Sequence, residues 1–443
     1  MTVVAARPRS DVPLQTRILR LVVELVPPLV VALLILPFVI AYGKFSPWQP
    51  STIDLQVYVY AVRDMLAGKD IFATTTPFWN LYFIYPPVAA VIMWPLAFGP
   101  YAMWQVIWTA GLIVAQQSVL RRCGMPRGWK LGLLGIAVVL AVEPIRTTLG
   151  YGQVNTMLMA LVVADLLPDA PGERRRIPQG TLIGLAAAIK LTPALFVVFA
   201  FFLGRRRLAI TAIISFFAFT AVGAIFQFQR TIDFWGGLSG GDTRTASPLY
   251  AGNQSLLGLF FRLGDSSRTT TLVGLGVAGL VALLATVVAA HWWQSGQKVF
   301  AVGLVGLATC LASPLSWTHH YVWILPLAVA VVRPTVALRR VQGARLRSQG
   351  AELTRAEPVE APAPVEPLPR WARYLGGFWV IWVCACLPLA VLPYGGGRER
   401  TFTFLQSLVA NLGPALGVVL VVGLAWQMIS QSRARAVEAV APA

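Results

Sequence analysis

The segment RRRIPQGTLIGLAAAIKLTPALFVVFAFFLGRRR, residues 174–207, carries an arginine triplet at each end of a long apolar run. A single membrane crossing would leave one triplet on the external face, against the tendency of Lys and Arg in short loops to stay cytoplasmic. Thr192 and Pro193 interrupt the run, and proline removes a backbone donor and clashes with the preceding helical turn. The spacing therefore predicts a hairpin of two half-helices, broken near Thr192 and Pro193, that returns to the side it came from. Next outward, the Pro-rich run 81–99 poses the same question. If it crossed fully, Arg121, Arg122, Arg127 and Lys130 would face out, so it is read as a helix lying in the outer leaflet.

The rest of the chain fits that frame. Of 443 residues, 57% are hydrophobic and 12% charged, about half the charged content of a soluble globular protein. At about 20 residues per span, the apolar runs 19–43, 101–120, 131–148, 154–168, 208–228, 271–290, 299–316, 321–332, 373–394 and 403–427 read as transmembrane helices. The expected fold class is an all-α polytopic membrane protein with about ten full spans, a re-entrant helical hairpin and outer-leaflet amphipathic helices. Both termini then lie in the cytoplasm, and 25 of the 36 Lys and Arg fall on cytoplasmic segments, 9 on external ones and 2 in the membrane. The net charge of +18 is assigned to this asymmetry and not to nucleic-acid binding. Cys123, Cys310, Cys384 and Cys386 lie in or beside apolar runs with no acidic or His ligand near the 384 and 386 pair, so no zinc site is expected. The long first apolar run lacks a small-residue cleavage site and reads as a retained span.

Four regions follow: a membrane core over 1–335 with large external loops at 44–80 and 229–270, a disordered cytoplasmic linker at 336–372, two plain C-terminal spans over 373–430, and a cytoplasmic tail at 431–443. The linker ends in APAPVEPLP and is too polar and Pro-rich to bury a core.

Polar residues that interrupt this apolar background are the functional candidates. In the first loop, DLQVYVYAVRDML carries apolar positions spaced for an amphipathic helix on the membrane. Asp64 with Arg63, and Asp70 with Lys69, read as solvated charges. Asp54 is either an N-cap or a general base at the mouth of a membrane cavity, able to take a proton from a sugar hydroxyl. Tyr85-Pro86-Pro87 opens a helix or interrupts one. Glu143 and Arg146, three apart, are expected to neutralise each other. In GYGQVN the glycines suit a tight turn, while Gln153 and Asn155 suit hydrogen bonding to a polyol. Lys190 sits mid-run, where a cation costs several kcal/mol unless it snorkels or meets an anion such as a lipid phosphate. GNQS places Asn253, Gln254 and Ser255 ahead of an apolar stretch closed by Arg262; capping accounts for Asn253 or Ser255 but not Gln254. SPLSWTHHYVW sets His319 and His320 at an outer helix junction among Trp317, Tyr321 and Trp323, which also fit an interfacial aromatic belt. No phosphate-binding loop or dinucleotide fingerprint is present, so a lipid-linked donor fits better than a nucleotide.

In order, Asp54, Tyr85-Pro86-Pro87, GQVN at 152–155, Lys190 with Thr192-Pro193, GNQS at 252–255 and SPLSWTHH at 313–320 resemble glycosyltransferase family 87, of the GT-C fold, over about residues 19–335. The resemblance implies an inverting hexosyl transfer. It also implies a polyprenyl-phosphate-mannose donor, a mannosylated phosphatidylinositol acceptor and a plasma-membrane site facing the extracytoplasmic side. Relatives that branch lipomannan or transfer arabinofuranose share the motifs. The first-loop aspartate of the family maps to Asp54 as base. Lys190, with Arg262 or a histidine, would bind the donor phosphate; His319 or His320 would orient Asp54 or the attacking hydroxyl; Tyr85, Gln153, Asn155, Asn253, Gln254 and Trp317 would contact sugar. Some GT-C enzymes use a divalent metal, but Asp54 has no second carboxylate pattern beside it, and neither metal nor cofactor is expected. The rival reading from another class is a glycolipid transporter or flippase, which should show repeated halves with matching broken helices; the chain has one broken hairpin.

Overall fold

The computed structural model describes residues 14–40, 52–168, 177–237, 247–332 and 366–440. Among the described residues there are helices and loops, no strand, and one antiparallel bridge between Thr75 and Tyr82. In chain order the helices are α1 (Leu14–Ile40), α2 (Ile53–Leu66), α3 (Pro87–Ile92), α4 (Tyr101–Arg122), α5 (Trp129–Ala141), α6 (Glu143–Tyr151), α7 (Asn155–Leu166), α8 (Thr181–Ile189) and α9 (Leu195–Phe202). There follow α10 (Arg206–Phe226), α11 (Phe228–Gly237), α12 (Leu256–Leu263), α13 (Arg268–Gln294), α14 (Lys298–Ala312), α15 (Ile324–Val332), α16 (Arg370–Ala385), α17 (Leu387–Val391) and α18 (Phe404–Val440). One buried apolar cluster runs from Val31 in α1 to Ala425 in α18.

Among the described residues, three helices are long and apolar enough to cross a membrane on their own: α10, α13 and residues Phe404–Ala434 of α18. Their outward faces carry Ile214, Phe217, Ile225, Leu272 and Leu280 exposed, a surface that suits lipid and not water. Of the other expected spans, 19–43 and 101–120 form the continuous helices α1 and α4, of 27 and 22 residues, while several of the rest are shorter or broken. The run 131–148 bends by 90° between α5 and α6. Pro144 has no N–H to give Leu140, whose carbonyl instead accepts from Arg146 Nη1 at 2.9 Å. The expected Glu143–Arg146 ion pair therefore does not form; Glu143 Oε1 accepts from Thr147 Oγ1. The run 373–394 breaks at Cys386, which is left-handed (φ 49), ahead of Pro388.

The described part of the 174–207 segment, from residue 177 on, holds two short helices before α10. α8 ends where Lys190 turns extended (φ −152, ψ 128), a 3-10 turn covers Thr192–Ala194, and α9 leads back. Arg205 Nη2 donates to Gln179 Oε1 at 2.5 Å, so the two ends meet. Run 81–99 holds only the six-residue α3 and a 3-10 turn at Trp94–Ala97, too short to cross.

Several boundaries differ from expectation. α2 does not lie on the surface: Leu55, Val57, Tyr58, Val59, Ala61 and Val62 are buried within the protein. The linker at 336–372 lies mostly outside the described residues. Its end does not: Glu366 O accepts from Gln297 Nε2 at 2.7 Å and Glu366 Oε1 from Gln431 Nε2 at 2.6 Å, and α16 starts at Arg370. α18 continues through the expected tail to Val440. Residues 44–51 and 238–246 of the two large loops are likewise outside the described set. Trp379 Nε1 to Gly413 O joins α16 to α18, and Gln254 Nε2 to Ala410 O and Arg262 Nε to Asn411 Oδ1 tie α18 to the rest of the protein.

Candidate active site

α2 starts from a strained residue. Thr52 is left-handed (φ 45, ψ 38), rare for a β-branched side chain. It is held there by its own N–H to Gly150 O at 2.8 Å, by Tyr101 OH at 2.7 Å from its hydroxyl and by Gln105 Nε2 at 2.9 Å. Strain of this kind persists only where the surroundings over-determine it. Two residues on, Asp54 does not cap α2. Its Oδ2 accepts from Gln153 Nε2 at 3.1 Å.

Gln153 is aimed by the turn before it. Gly152 has φ +69, and a Cβ there would stand 2.8 Å from Leu55 Cβ, so only glycine lets α6 and α2 approach this closely. Gln153 Oε1 accepts from Tyr58 OH and Tyr85 OH, each at 2.7 Å, and from Val154 N at 3.0 Å. Three donors on the oxygen fix the amide orientation and leave the NH2 to face Asp54. Burial pushes the Asp54 carboxyl up to about 7, against the pull of the Lys190 charge and the Gln153 hydrogen bond.

Lys190 reaches the same group from the tip of the hairpin. Its Nζ donates to Asn155 Oδ1 at 2.9 Å and stands 5.6 Å from the centre of the Tyr85 ring. Asn155 Nδ2 in turn donates to His319 O at 2.9 Å, so Asn155 presents its oxygen to the lysine. The ammonium is thus directed into the protein and does not snorkel. Lys190, Asn155, Thr192, Ser316 and His320 line one cleft.

The two histidines part company: one shares the lysine's cleft, and neither orients Asp54. His320 lines that cleft, with Nδ1 accepting from Trp317 N at 3.2 Å. The His319 ring packs on Tyr151 at 5.5 Å and Trp317 at 5.9 Å, and its Nδ1 is buried without a partner. Neither ring bonds Asp54; the side chain that orients it is Gln153.

Three other candidates are engaged elsewhere. Asn253 gives both amide hydrogens to Pro248 O and Pro314 O, and its oxygen accepts from Ser255 N and Ser316 N. With four bonds made it has nothing left for a sugar. Gln254 Nε2 donates to Ala251 O and Ala410 O. Arg262 donates to Tyr250 O, Asn253 O and Asn411 Oδ1. These side chains brace the 248–255 loop and are not brought to Lys190 or Asp54. The residue that sequence reasoning missed is Tyr58. It lies four positions after Asp54, on the same helix face, and its hydroxyl also meets that of Tyr85 at 3.1 Å.

Among the described residues no group of three or more His, Cys, Asp or Glu comes together to hold a metal ion. The arrangement offers one oriented carboxylate, one ammonium and several amide and phenol groups, a set suited to taking a proton from a hydroxyl beside an anion.

The glycosyltransferase family 87 profile matches residues 83–314. A polyprenol-phosphate-mannose-dependent alpha-(1-2)-phosphatidylinositol mannoside mannosyltransferase of Mycobacterium tuberculosis is 31% identical over 401 residues, covering 83% of this chain and 90% of the relative. A polyprenol-phosphate-mannose-dependent alpha-(1-2)-phosphatidylinositol pentamannoside mannosyltransferase of Mycolicibacterium smegmatis is 33% identical over 329 residues, 70% of this chain and 76% of the relative. No solved structure matches. With more than half the chain inside the profile and most of its length shared with these relatives, the protein belongs to glycosyltransferase family 87.

Proposed function

We propose that the protein is an inverting mannosyltransferase that moves mannose from polyprenyl-phosphate-mannose to the 2-hydroxyl of a terminal mannose on a phosphatidylinositol mannoside. The observation that carries this reading is the linked pair of charges: Asp54 held by Gln153, and Lys190 held by Asn155 against Tyr85, whose hydroxyl closes the link to Gln153. The relatives' activities support the substrate class.

The reaction follows from that pair. The acceptor oxygen attacks C1 of the donor mannose from the face opposite the phosphate, and the C1–O bond to phosphate breaks with its electron pair going to the phosphate oxygen. The Asp54 carboxylate, which makes no other hydrogen bond among the described residues, takes the hydroxyl proton. Lys190 offsets the charge gathering on the phosphate inside a site of low dielectric. A β-linked donor gives an α-1,2 product. In the membrane the chain crosses about ten times, with the 179–205 hairpin re-entrant, both termini cytoplasmic and the site facing out. The closure of Arg205 on Gln179 and the 25-to-9 division of Lys and Arg favour this arrangement.

The test is incubation of purified protein with polyprenyl-phosphate-mannose and a mannosylated phosphoinositide, with mass and linkage analysis of the lipid. One added hexose in α-1,2 linkage is expected. No transfer from the mannosyl donor, with transfer from a polyprenyl-phosphate-arabinose, would reassign the sugar.

A further inference from the structure

Five rings form an unbroken row leading away from the Asp54 group. Tyr151 meets His319 at 5.5 Å, His319 meets Trp317 at 5.9 Å, Trp317 meets Tyr250 at 5.8 Å and Tyr250 meets Tyr394 at 5.7 Å. The row begins beside the site, because Tyr151 ends α6 just ahead of Gly152 and Gln153. It ends in the loop between α17 and α18, a part of the chain that no motif marks.

These rings differ from the core aromatics in two ways. Tyr151, Trp317 and Tyr250 are half-buried and Tyr394 is exposed, so each of these four keeps part of its side chain open to solvent. The hydroxyls of Tyr58, Tyr85, Tyr101 and Tyr321 are all spent on protein partners; those of Tyr151, Tyr250 and Tyr394 make no hydrogen bond among the described residues. His319, at 6% exposure, is the buried ring that joins them, and its Nδ1 has no hydrogen-bond partner among the described residues. Partly exposed rings with unspent polar tips suit a ligand that is apolar on one face and rich in hydroxyls at its rim. A hexose has that character. One buried carboxylate sets the outer half of the row: Glu399 Oε1 accepts from Ala251 N at 3.1 Å and Gly395 N at 2.8 Å, fixing the neighbours of Tyr250 and Tyr394 together.

We propose that this row binds the mannose residues behind the terminal one, so that the C-terminal segment, through Tyr394, selects acceptors by glycan length. The inference rests on the mannosyl-transfer reading for its sugar, while the row itself is read from geometry. An aromatic belt at the lipid interface would use the same residue types but would not bind a soluble glycan.

The test is calorimetric titration of the purified full-length protein in detergent with a soluble α-linked oligomannoside and with methyl mannoside, on wild type, Tyr394→Ala and Tyr374→Ala. Tyr374 is an exposed aromatic on α16 outside the row. Wild type is expected to bind the oligomannoside more tightly than methyl mannoside. Loss of one stacking ring should weaken oligomannoside binding by about five- to tenfold, with Tyr374→Ala unchanged. In transfer assays the ratio of kcat/KM for long over single-mannose acceptors should fall with it. Equal oligomannoside affinity in wild type and Tyr394→Ala, or an equal loss for both ligands, would overturn the row. If binding depends on Tyr394 but wild type transfers no mannose, the row stands and the reading of the reaction fails.

Discussion

A carboxyl whose ordinary value is 3.8 and which burial lifts to about 7 is half-ionised near neutral pH, where a general base works best. Only the ionised form can accept a proton, so transfer should rise with pH through about 7 and level off above it. The same shift has a cost with a defined sign. A folded value raised above the unfolded one means stability that is full below about 4 and is lost as pH rises through about 7. Asp54→Asn removes both effects. Turnover should drop by about 100-fold or more with the protein still folded, and its melting temperature should gain on wild type as pH rises from about 4 to about 7. Normal turnover in Asp54→Asn with loss in Asp64→Asn would move the base to Asp64, which pairs with Lys69 at 3.4 Å. At this scale the sequence marked Asp54, Tyr85, Gln153, Asn155 and Lys190 because each is polar against an apolar background. It did not reveal that Gln153 orients Asp54 where a histidine was expected, since that choice depends on the left-handed turn at Gly152 and on three donors converging from separate elements. Nor did it reveal that Asn253 is saturated, because its partners at Pro314 and Ser316 are some sixty residues away.

Elements carry the lysine to its place. α8 packs on α10 through Gly184, where an added Cβ would collide with Ala212 O and stand 2.6 Å from Ser215 Cβ and 2.8 Å from Phe216 N. Two of these three atoms belong to helix backbone and cannot swing aside. Gly184→Val should therefore push α8 off α10, costing about 1–3 kcal/mol as overpacking does, and should shift Lys190 from Asn155. A lower melting temperature in detergent and a higher donor KM are expected. Gly276→Val and Gly279→Val, where nothing lies within 4 Å, serve as controls and should melt near wild type. Donor KM unchanged in Gly184→Val would mean that Lys190 does not depend on this packing. The break of this segment into two half-helices was legible because Thr192 and Pro193 interrupt its apolar run. The corner between α5 and α6 was not, since Pro144 signals a break but gives no angle, and Arg146 was assigned to Glu143 when its nearer task was the carbonyl that Pro144 leaves open.

At the scale of the molecule, the sides of the membrane and the geometry of the site constrain each other. Gln153 follows α6, and α6 follows the corner after α5, which starts beside Arg127 and Lys130. If the bent pair α5–α6 crosses once, the basic loop stays in the cytoplasm and Gln153 emerges on the outer face, where α2 brings Asp54 to it. If the pair failed to cross, Asp54 and Gln153 could bond only with that basic loop on the external side as well. The C-terminal helices obey the same arrangement: Ala251 and Glu399 bond across 148 residues of sequence, a contact no local pattern announces, and it requires the loops before α12 and before α18 to share a side. Cysteine labelling checks the whole assignment. Tyr60→Cys, on the exposed edge of α2, should react with an impermeant thiol reagent applied to intact cells. Arg127→Cys and Gly350→Cys should react only after permeabilisation. The parent protein provides a low background, because Cys123 and Cys310 are buried and Cys384 and Cys386 half-buried. Labelling of Gly350→Cys from outside would invert the C-terminal half and break the shared side that Ala251 and Glu399 need. Labelling of Arg127→Cys from outside would mean that the corner at Val142 turns the chain back before it crosses.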